Sequence, residues 1–566
     1  MSTKSTPAKT YDAIVVGSGI TGGWAAKELS EKGLETLVLE AGRAIEPTKD
    51  YTEHIPVWKK KFRDMGDRKQ LDAQQPVQQT CNAVDETNAK FFVNDKENPY
   101  TTEEGKPFLW IRGRHVGGRS IMWGRQSYRW SDLDFEANQK EGIAVDWPIR
   151  YADIAPWYDY VEDFIGVSGQ AEGLPQLPDG KFLPPMEMNC AELDVRDAVA
   201  KYFPGERKMT IGRAAVLTQP HRGRAACHYC GPCDHGCITK SYFSSLNSTL
   251  PAALATGKLT IRPNSVVHSL IFDSATRRVT GVRVIDAETH AAVEVHAKVV
   301  FLCASTLEST RILLNSATPE FSNGLANSSG QLGHNLMDHV MGGGAGGRLP
   351  GHEDRTVLGR RPNGIYVPRF RNVNSKHPGF VRGYGFQGGA GRAGWERGNG
   401  MAGFGADFKK TLSKPGPWYF SFYGFGECLP NFENTAELDK EVKDAWGIPA
   451  LRIRCNWREN ERALLKDMSI TAAEMLAAAG AEEITAFVED NAPGLTIHEM
   501  GTARMGHDPK TSVLDSHNRA HDVKNLFITD GACMASSSCV NPSLTYMALT
   551  ARACDFAAAA MKKGEI

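Results

Sequence analysis

Two hydrophobic periods alternate along this chain. The largely apolar run 12–16 (DAIVV) ends in the glycine-rich GSGITGG. WAAKELSEKG then follows helical spacing, and LETLVLEAG forms a second apolar run that carries Glu40 near its end. This order predicts a strand–helix–strand unit. Farther along, YADIAPWYDYVEDFIG (151–166) reads as an amphipathic helix, followed by the Pro/Gly-rich loop GLPQLPDGKFLPP. SYFSSLNSTLPAALATG reads as helical, LTIRPNSVVHSLIFD and VTGVRVID as strands, and AKVVFLCAS as a strand leading into the helix TLESTRILLNS. Residues 418–424 and 449–455 alternate as strands do, and ENERALLKDMSITAAEMLAAAG and CVNPSLTYMALTARACDFAAAAM are helical. Between these lie two weakly periodic stretches. Residues 50–105 are polar and mixed, and are expected to be a solvated excursion. The Gly-rich stretch from Gly333 to about Gly405 has few periodic signals; its part from about Gly342 to Gly405 is rich in Arg, Tyr, Asn and Gln, with Trp395 and Trp418 nearby. No internal repeat or long low-complexity segment is present.

Length and charge narrow the function classes. The 566 residues correspond to two to four domain-sized units. Lys plus Arg is 65 and Asp plus Glu is 66, a net charge of −1. That balance argues against nucleic-acid or anionic-membrane binding, which needs clustered positive charge. No run of 18 apolar residues occurs, so direct membrane insertion is not expected. The first ten residues are polar and lack an apolar core, so no signal peptide is expected there. The 12 cysteines are too dilute for a disulfide scaffold, but four of them, Cys227, Cys230, Cys233 and Cys237, crowd into eleven residues.

Gly17-Ser18-Gly19-Ile20-Thr21-Gly22 fits G-x-G-x-x-G after a strand and at the start of a helix. In that context Gly17 permits the tight turn, Gly19 lets the backbone approach a pyrophosphate, and Gly22 lets helix and strand pack closely. The helix N-terminus offers free N–H groups to phosphate. Glu40 stands 23 residues after Gly17, where an acid can meet ribose hydroxyls.

Three further segments extend the picture: Gly117-Gly118-Arg119-Ser120 in RGRHVGGRSIMWGR, His498 in HEMGTARMG, and Asn541-Pro542 in NLFITDGACMASSSCVNPS. With the N-terminal motif, AKVVFLCASTLESTRILLNS and GHNLMDH, they resemble the glucose–methanol–choline (GMC) oxidoreductase family from residue 11 to about 554. The resemblance implies an α/β fold: a Rossmann-type FAD-binding domain built from 1–130, 205–335 and 490–566, and an α+β substrate domain with an antiparallel sheet from 131–204 and 336–489. It implies that the part from about Gly342 to Gly405 lines or caps a substrate cleft. It implies FAD held by Gly17, Gly19, Gly22, Glu40, Gly117, Gly118, Ser120, Asp530 and Gly531, with His498 and Asn541 as the catalytic pair. Some relatives tether flavin through a His two residues after the position of Ser120. Met122 stands there in this chain and cannot form that bond, so FAD is expected to be non-covalent.

The cysteine run repeats the spacing C-x2-C-x2-C-x3-C of ferredoxin-type iron–sulfur sites, without the usual Pro after the last Cys. A zinc site and structural disulfides are alternatives. A bacterial branch of the family, including FAD-dependent glucose dehydrogenase and glucoside 3-dehydrogenase catalytic subunits, resembles this chain in carrying such a run. That implies a [3Fe-4S] cluster ahead of a [4Fe-4S] cluster. A cluster accepts electrons singly, which favours a dehydrogenase serving an external acceptor. The branch further implies a small accessory subunit, a c-type cytochrome acceptor, and a periplasmic location by co-export with a signal-bearing subunit, with a cytoplasmic location as the alternative. The expected activity is oxidation of a sugar or glycoside hydroxyl, glucose-like and including C3 to the 3-keto product. The alternatives are a gluconate or polyol dehydrogenase flavin subunit, an O2-dependent sugar oxidase and a non-catalytic electron-relay subunit.

Overall fold

The computed structural model describes residues 9–63 and 66–566. Residues 1–8, most of the polar first ten, and residues 64–65 of the stretch 50–105 lie outside the described residues.

Among the described residues, seven strands form the first sheet. Leu259–Arg262, Thr36–Leu39, Thr10–Val16 and Ala292–Leu302 run parallel in that order, and Leu526–Ile528 also pairs in parallel with Ala292–Leu302. Burial on both faces explains the continuous apolar runs of these strands, because a parallel sheet covered by other elements has no polar side. Ser265–Asp273 and Arg278–Asp286 extend the sheet as an antiparallel meander into Ala292–Leu302. The helix Ile20–Glu31 follows the first strand and buries Trp24, Ala25, Ala26 and Leu29. It packs on the C-terminal helix Ser543–Lys563, whose alanines, among them Ala548, Ala551, Ala553 and Ala557, permit close approach.

The second sheet has six antiparallel strands in the order Glu482–Val488, Val340–Leu349, Trp418–Gly426, Tyr384–Arg392, Ile365–Val367 and Thr210–Ile211. The 20-residue helix Glu459–Ala478 packs against it. Glycine makes that packing possible: a Cβ on Gly343 would lie 2.5 Å from the Leu465 carbonyl oxygen, and one on Gly424 would lie 2.4 Å from Met468 Sδ. Three of these strands, Val340–Leu349, Ile365–Val367 and Tyr384–Arg392, fall in the Gly-rich stretch that periodicity left unassigned. Glycine has no side chain to alternate, so the period-2 signal vanishes even though the backbone is extended.

Three expectations need correction. The flavin-side segment 205–335 lends Thr210–Ile211 to the second sheet, where Ile211 pairs with Ile365, so the chain crosses between domains later than residue 205. The stretch 50–105 is not merely solvated: Tyr51, Leu71, Phe91 and Phe92 are buried, and Thr101–Thr102 pairs with Pro449–Arg454. Its polar side chains mask this because several of them bond inward, as when buried Gln78 donates from Nε2 to Asp95 (2.8 Å) and to the Trp110 carbonyl (3.0 Å). Trp418 is buried, donating Nε1–H to the His352 carbonyl (3.0 Å), Trp395 is solvent-exposed, and neither lines the large cavity between the sheets. No described helix is long and apolar enough to cross a membrane.

Candidate active site and dinucleotide cradle

The two sheets enclose a cavity of about 2040 Å3. Single-ligand pockets usually measure about 300–1,000 Å3. This one therefore has room for a dinucleotide and a second molecule together.

Its floor is the turn after the first strand. Gly17 has φ +92°, and a Cβ there would lie 2.5 Å from the Cys303 carbonyl oxygen. A Cβ on Gly22 would lie 2.0 Å from the Gly17 carbonyl oxygen. A Cβ on Gly19 would meet no atom within 4 Å, so the helix N-terminus opens freely on the cavity. Glu40 accepts hydrogen bonds from Ser18 N (3.1 Å), Ser18 Oγ (2.6 Å) and Gly42 N (3.0 Å). Burial pushes its pKa up, against those bonds and the Arg114 charge. Glu40 thus holds the glycine turn in shape as well as lining the cavity.

The 117–120 loop closes over this turn. Gly117 N donates to Ser18 Oγ (3.0 Å), and a Cβ on Gly118 would lie 3.1 Å from Gly19 Cα. Ser120 Oγ donates to the Gly117 carbonyl (2.5 Å) and accepts from Ser245 N (3.0 Å), so its hydroxyl locks the loop internally. Asp530 accepts from Ala532 N (3.1 Å) and from the Ser309 hydroxyl, and burial pushes its carboxyl up to about 6. A Cβ on Gly531 would lie 2.3 Å from the Glu499 carbonyl oxygen. Gly17, Gly19, Glu40, Gly118, Ser120, Asp530 and Gly531 line the cavity together with His498 and Asn541, whereas Gly22 and Gly117 stand behind the wall and shape it.

Several functional residues escaped sequence reasoning. Arg112 and Arg114 line the cavity, and each has a buried Nε without a partner. Burial lowers both pKa values, that of Arg112 to about 10. Unpartnered buried guanidinium donors beside a glycine cradle suit an anionic dinucleotide, so the residues present fit FAD. Their only sequence signal is the Arg/Gly alternation before Gly117, which carries no spacing rule. Arg119 pairs with Glu499 (3.0 Å) and donates to Ser305 Oγ (2.9 Å), tying the 117–120 loop to the segment that carries His498.

His498 stands at the end of a strained loop. Ile497 before it has φ +64°, costly for a β-branched residue and a feature that collects at functional sites. Asp338 holds this conformation by accepting from Gly494 N (2.8 Å), Thr496 N (3.2 Å) and His498 N (3.0 Å). Burial pushes the Asp338 carboxyl up to about 6. His498 Nδ1 lies 3.0 Å from His339 Nδ1. Burial, then the neighbouring His339 ring and the Arg119 charge, hold the His498 pKa well below its ordinary 6.5, so the ring is neutral at pH 7. Asn541 Oδ1 accepts from Gln387 Nε2 (2.7 Å) on the second sheet. Substituting Asp338→Asn leaves one acceptor oxygen for three backbone donors. The expected result is retained flavin with kcat lowered about 10–100-fold, the scale of a misplaced catalytic group, measured by flavin content and steady-state turnover.

The expected ligand set of Cys227, Cys230, Cys233 and Cys237 is not drawn together. All four thiols are free, and among the described residues no three His, Cys, Asp or Glu side chains converge on a point that could hold a metal ion. Backbone amides already meet two of the sulfurs: Tyr229 N donates to Cys227 Sγ (3.4 Å) and Ser241 N to Cys237 Sγ (3.3 Å). Burial, then the neighbouring thiols, push Cys227 up to about 11. The four cysteines nevertheless line one small cleft, and Cys233 also borders the large cavity.

A glycine-turn cradle with basic walls, sharing one cavity with His498, Asn541 and residues of the antiparallel sheet, is the arrangement of a dinucleotide-dependent oxidoreductase. The chain belongs to the GMC oxidoreductase family, whose sequence profiles match residues 11–341 and 430–550. It is 28% identical to a 2-methyl-1,2-propanediol dehydrogenase of Mycolicibacterium austroafricanum over 98% of this chain and 96% of that protein. It is also 28% identical to a fructose dehydrogenase large subunit of Gluconobacter japonicus over 98% of each. A gluconate 2-dehydrogenase flavoprotein of Pantoea cypripedii is 24% identical over 96% of this chain and 92% of its own length. Among solved structures, the fold resembles pyridoxine 4-oxidase from Mesorbium loti, with a TM-score of 0.60 and 17% identity over 96% of this chain and 98% of that one.

Proposed function

We propose that this protein is a dehydrogenase that oxidises a hydroxyl of a sugar or related polyol, with non-covalent FAD as its oxidant and an electron acceptor other than dioxygen. The observation that carries the reading is neutral His498 lining the same cavity as Asn541 and the glycine cradle. FAD, when bound, would supply the acceptor for a hydride, with its two electrons, from the carbinol carbon. His498 takes the hydroxyl proton as that hydride leaves, and Asn541 holds the substrate oxygen by a hydrogen bond. Asn189, Glu192, Asn363 and Gln387 give the outer cavity a polar wall suited to a polyhydroxylated substrate. The dehydrogenases among the relatives, acting by name on fructose, gluconate and a diol, support this class. C3 oxidation of a glucoside is the most specific form of the proposal.

The cysteine run carries the finer part: an iron–sulfur group, [3Fe-4S] ahead of [4Fe-4S], near the surface side of the cavity. Its support is the spacing and the shared cleft. A small accessory subunit, a c-type cytochrome acceptor and periplasmic delivery complete the reading. Anaerobic purification followed by absorption and low-temperature EPR spectroscopy tests it, with fructose, gluconate, methyl glucoside and a diol added in turn. Bleaching of flavin, with reoxidation faster by an artificial acceptor than by O2, is the expected result. A sugar oxidase would reoxidise with O2, as fits a relative named paromamine 6′-oxidase of Streptomyces fradiae. No bleaching with any of these substrates would return the chain to an electron-relay role, and absence of iron and acid-labile sulfide would remove the cluster. Acid precipitation should leave the yellow colour in the supernatant, because Met122 offers no bond to the flavin.

A further inference from the structure

We propose that His339 is a positioning residue that fixes the proton of His498 on Nδ1 and so keeps Nε2 of His498 as the proton acceptor. The proposal rests on the reading of His498 as the base. Its logic starts at a carbonyl. His339 Nε2 lies 3.0 Å from the Ser537 carbonyl oxygen. A carbonyl only accepts, so this hydrogen bond places a proton on His339 Nε2. His339 is buried, and burial pushes its pKa down to about 4, so the ring is neutral and carries that proton alone. Its Nδ1 is therefore a lone pair.

That lone pair lies 3.0 Å from His498 Nδ1. Of two ring nitrogens at this distance one must donate, and His339 has nothing to donate there. His498 Nδ1 therefore bears the hydrogen. His498 is neutral as well, so its Nε2 keeps the lone pair. The ring planes stand at 77° with centroids 4.8 Å apart, so the two imidazoles are not stacked and meet through their nitrogens. The backbone holds both partners in register: His339 N donates to Thr496 Oγ1 (3.2 Å), and His498 N to Asp338 (3.0 Å). His339 adjoins the strand Val340–Leu349 and Ser537 precedes Asn541, so a chain of fixed polarity runs from the Ser537 carbonyl through His339 to His498. Without His339, the neutral His498 ring is free to carry its proton on Nε2, where it cannot accept another.

Long-range 15N–1H spectra of the 15N-histidine-labelled holoenzyme test this without turnover, because the two tautomers give distinct ring patterns. Signals are assigned by their loss in His498→Ala and His339→Asn. The expected pattern is Nδ1–H for His498 and Nε2–H for His339. An Nε2–H pattern for His498 overturns the proposal. Kinetics supply the second arm, read as the rate of anaerobic flavin bleaching. His339→Leu, which removes the acceptor, is expected to slow bleaching about 10–100-fold with flavin content and KM unchanged. His339→Asn, whose Oδ1 can replace the Nδ1 lone pair, is expected to recover most of that loss. Full rate in His339→Leu, or no recovery in His339→Asn, also overturns it. Failure of the underlying reading looks different: His498→Ala would bleach at the wild-type rate while the wild-type tautomer pattern stayed as expected.

Discussion

Replacing His498 with Ala is expected to leave flavin bound and to lower the rate of flavin reduction by about 10²–10⁴-fold, the usual span of general acid–base catalysis. Flavin should stay because its cradle is built elsewhere, from Gly17–Gly22, the 117–120 loop and Asp530–Gly531, and none of these is held by the imidazole. The rate should fall because His498 is the neutral imidazole placed on the cavity wall with an Nδ1 partner already satisfied. The pH dependence follows with a definite sign. Burial lowers the His498 pKa well below 6.5, so the free base is present at every pH above that value and is lost only as pH falls through the lowered pKa. Between pH 8 and 6.5, kcat/KM should therefore show no loss from this group. A limb near pH 6 belongs to the buried carboxyls of Asp338 and Asp530, both pushed up to about 6. The Asp338 share of that limb should vanish in Asp338→Asn. A limb centred at 6.5 that vanished in His498→Ala would mean an exposed, ordinary histidine and would contradict the burial. Turnover of His498→Ala within a few-fold of wild type would remove His498 from the base role.

Much of this site was legible because its chemistry is written in short, local spacings. The Gly17–Gly22 turn needs three glycines at fixed offsets, and the βαβ order around it shows directly as apolar runs flanking a helical period. His498 and Asn541 could be picked from their motifs. The partners that give these residues their properties could not. Asp338 and His339 reach the His498 loop across about 160 positions of sequence, and Gln387 reaches Asn541 across 154. No periodicity carries information over such separations. Arg112 and Arg114 are legible only as charge, and charge in a sequence reads first as surface, whereas here it faces inward to a cavity. The cysteine run shows the opposite limit. Its spacing states which thiols are neighbours in sequence and not where each sulfur points: the four share one cleft, yet among the described residues no three of them converge as metal ligands.

Gly22→Ala is expected to give protein without flavin. The added methyl would stand 2.0 Å from the Gly17 carbonyl oxygen and 2.7 Å from its carbonyl carbon, both backbone atoms. No rotamer relieves a backbone clash, so the helix Ile20–Glu31 would have to move away from the strand Thr10–Val16. Each neighbour resists that movement. Trp24, two residues on, is fully buried, and its ring sits edge-on to Tyr160 at 5.7 Å and to Phe164 at 5.3 Å. Gly23 beside it has no slack either, since a Cβ there would lie 2.4 Å from Thr249 Oγ1. Any shift that opens the turn breaks the Ser18–Glu40 bonds and the Gly117–Ser18 bond together, because all of them converge on one residue of that turn. The helix N-terminus then no longer faces the phosphates, and binding is lost at its strongest point. The measurement is flavin absorbance per protein after gel filtration, with far-ultraviolet circular dichroism alongside. Protein without the flavin absorption bands but with a wild-type helix signal is the expected outcome, since the second sheet and its covering helix are built from other segments of the chain. Gly19→Ala is the control. Its methyl would meet nothing within 4 Å of the protein, so the apo fold should be indifferent to it and only flavin affinity should fall. Equal flavin content in Gly22→Ala and the wild type would mean that the helix can ride outward at no cost to binding, and that the third glycine is not what seats the dinucleotide.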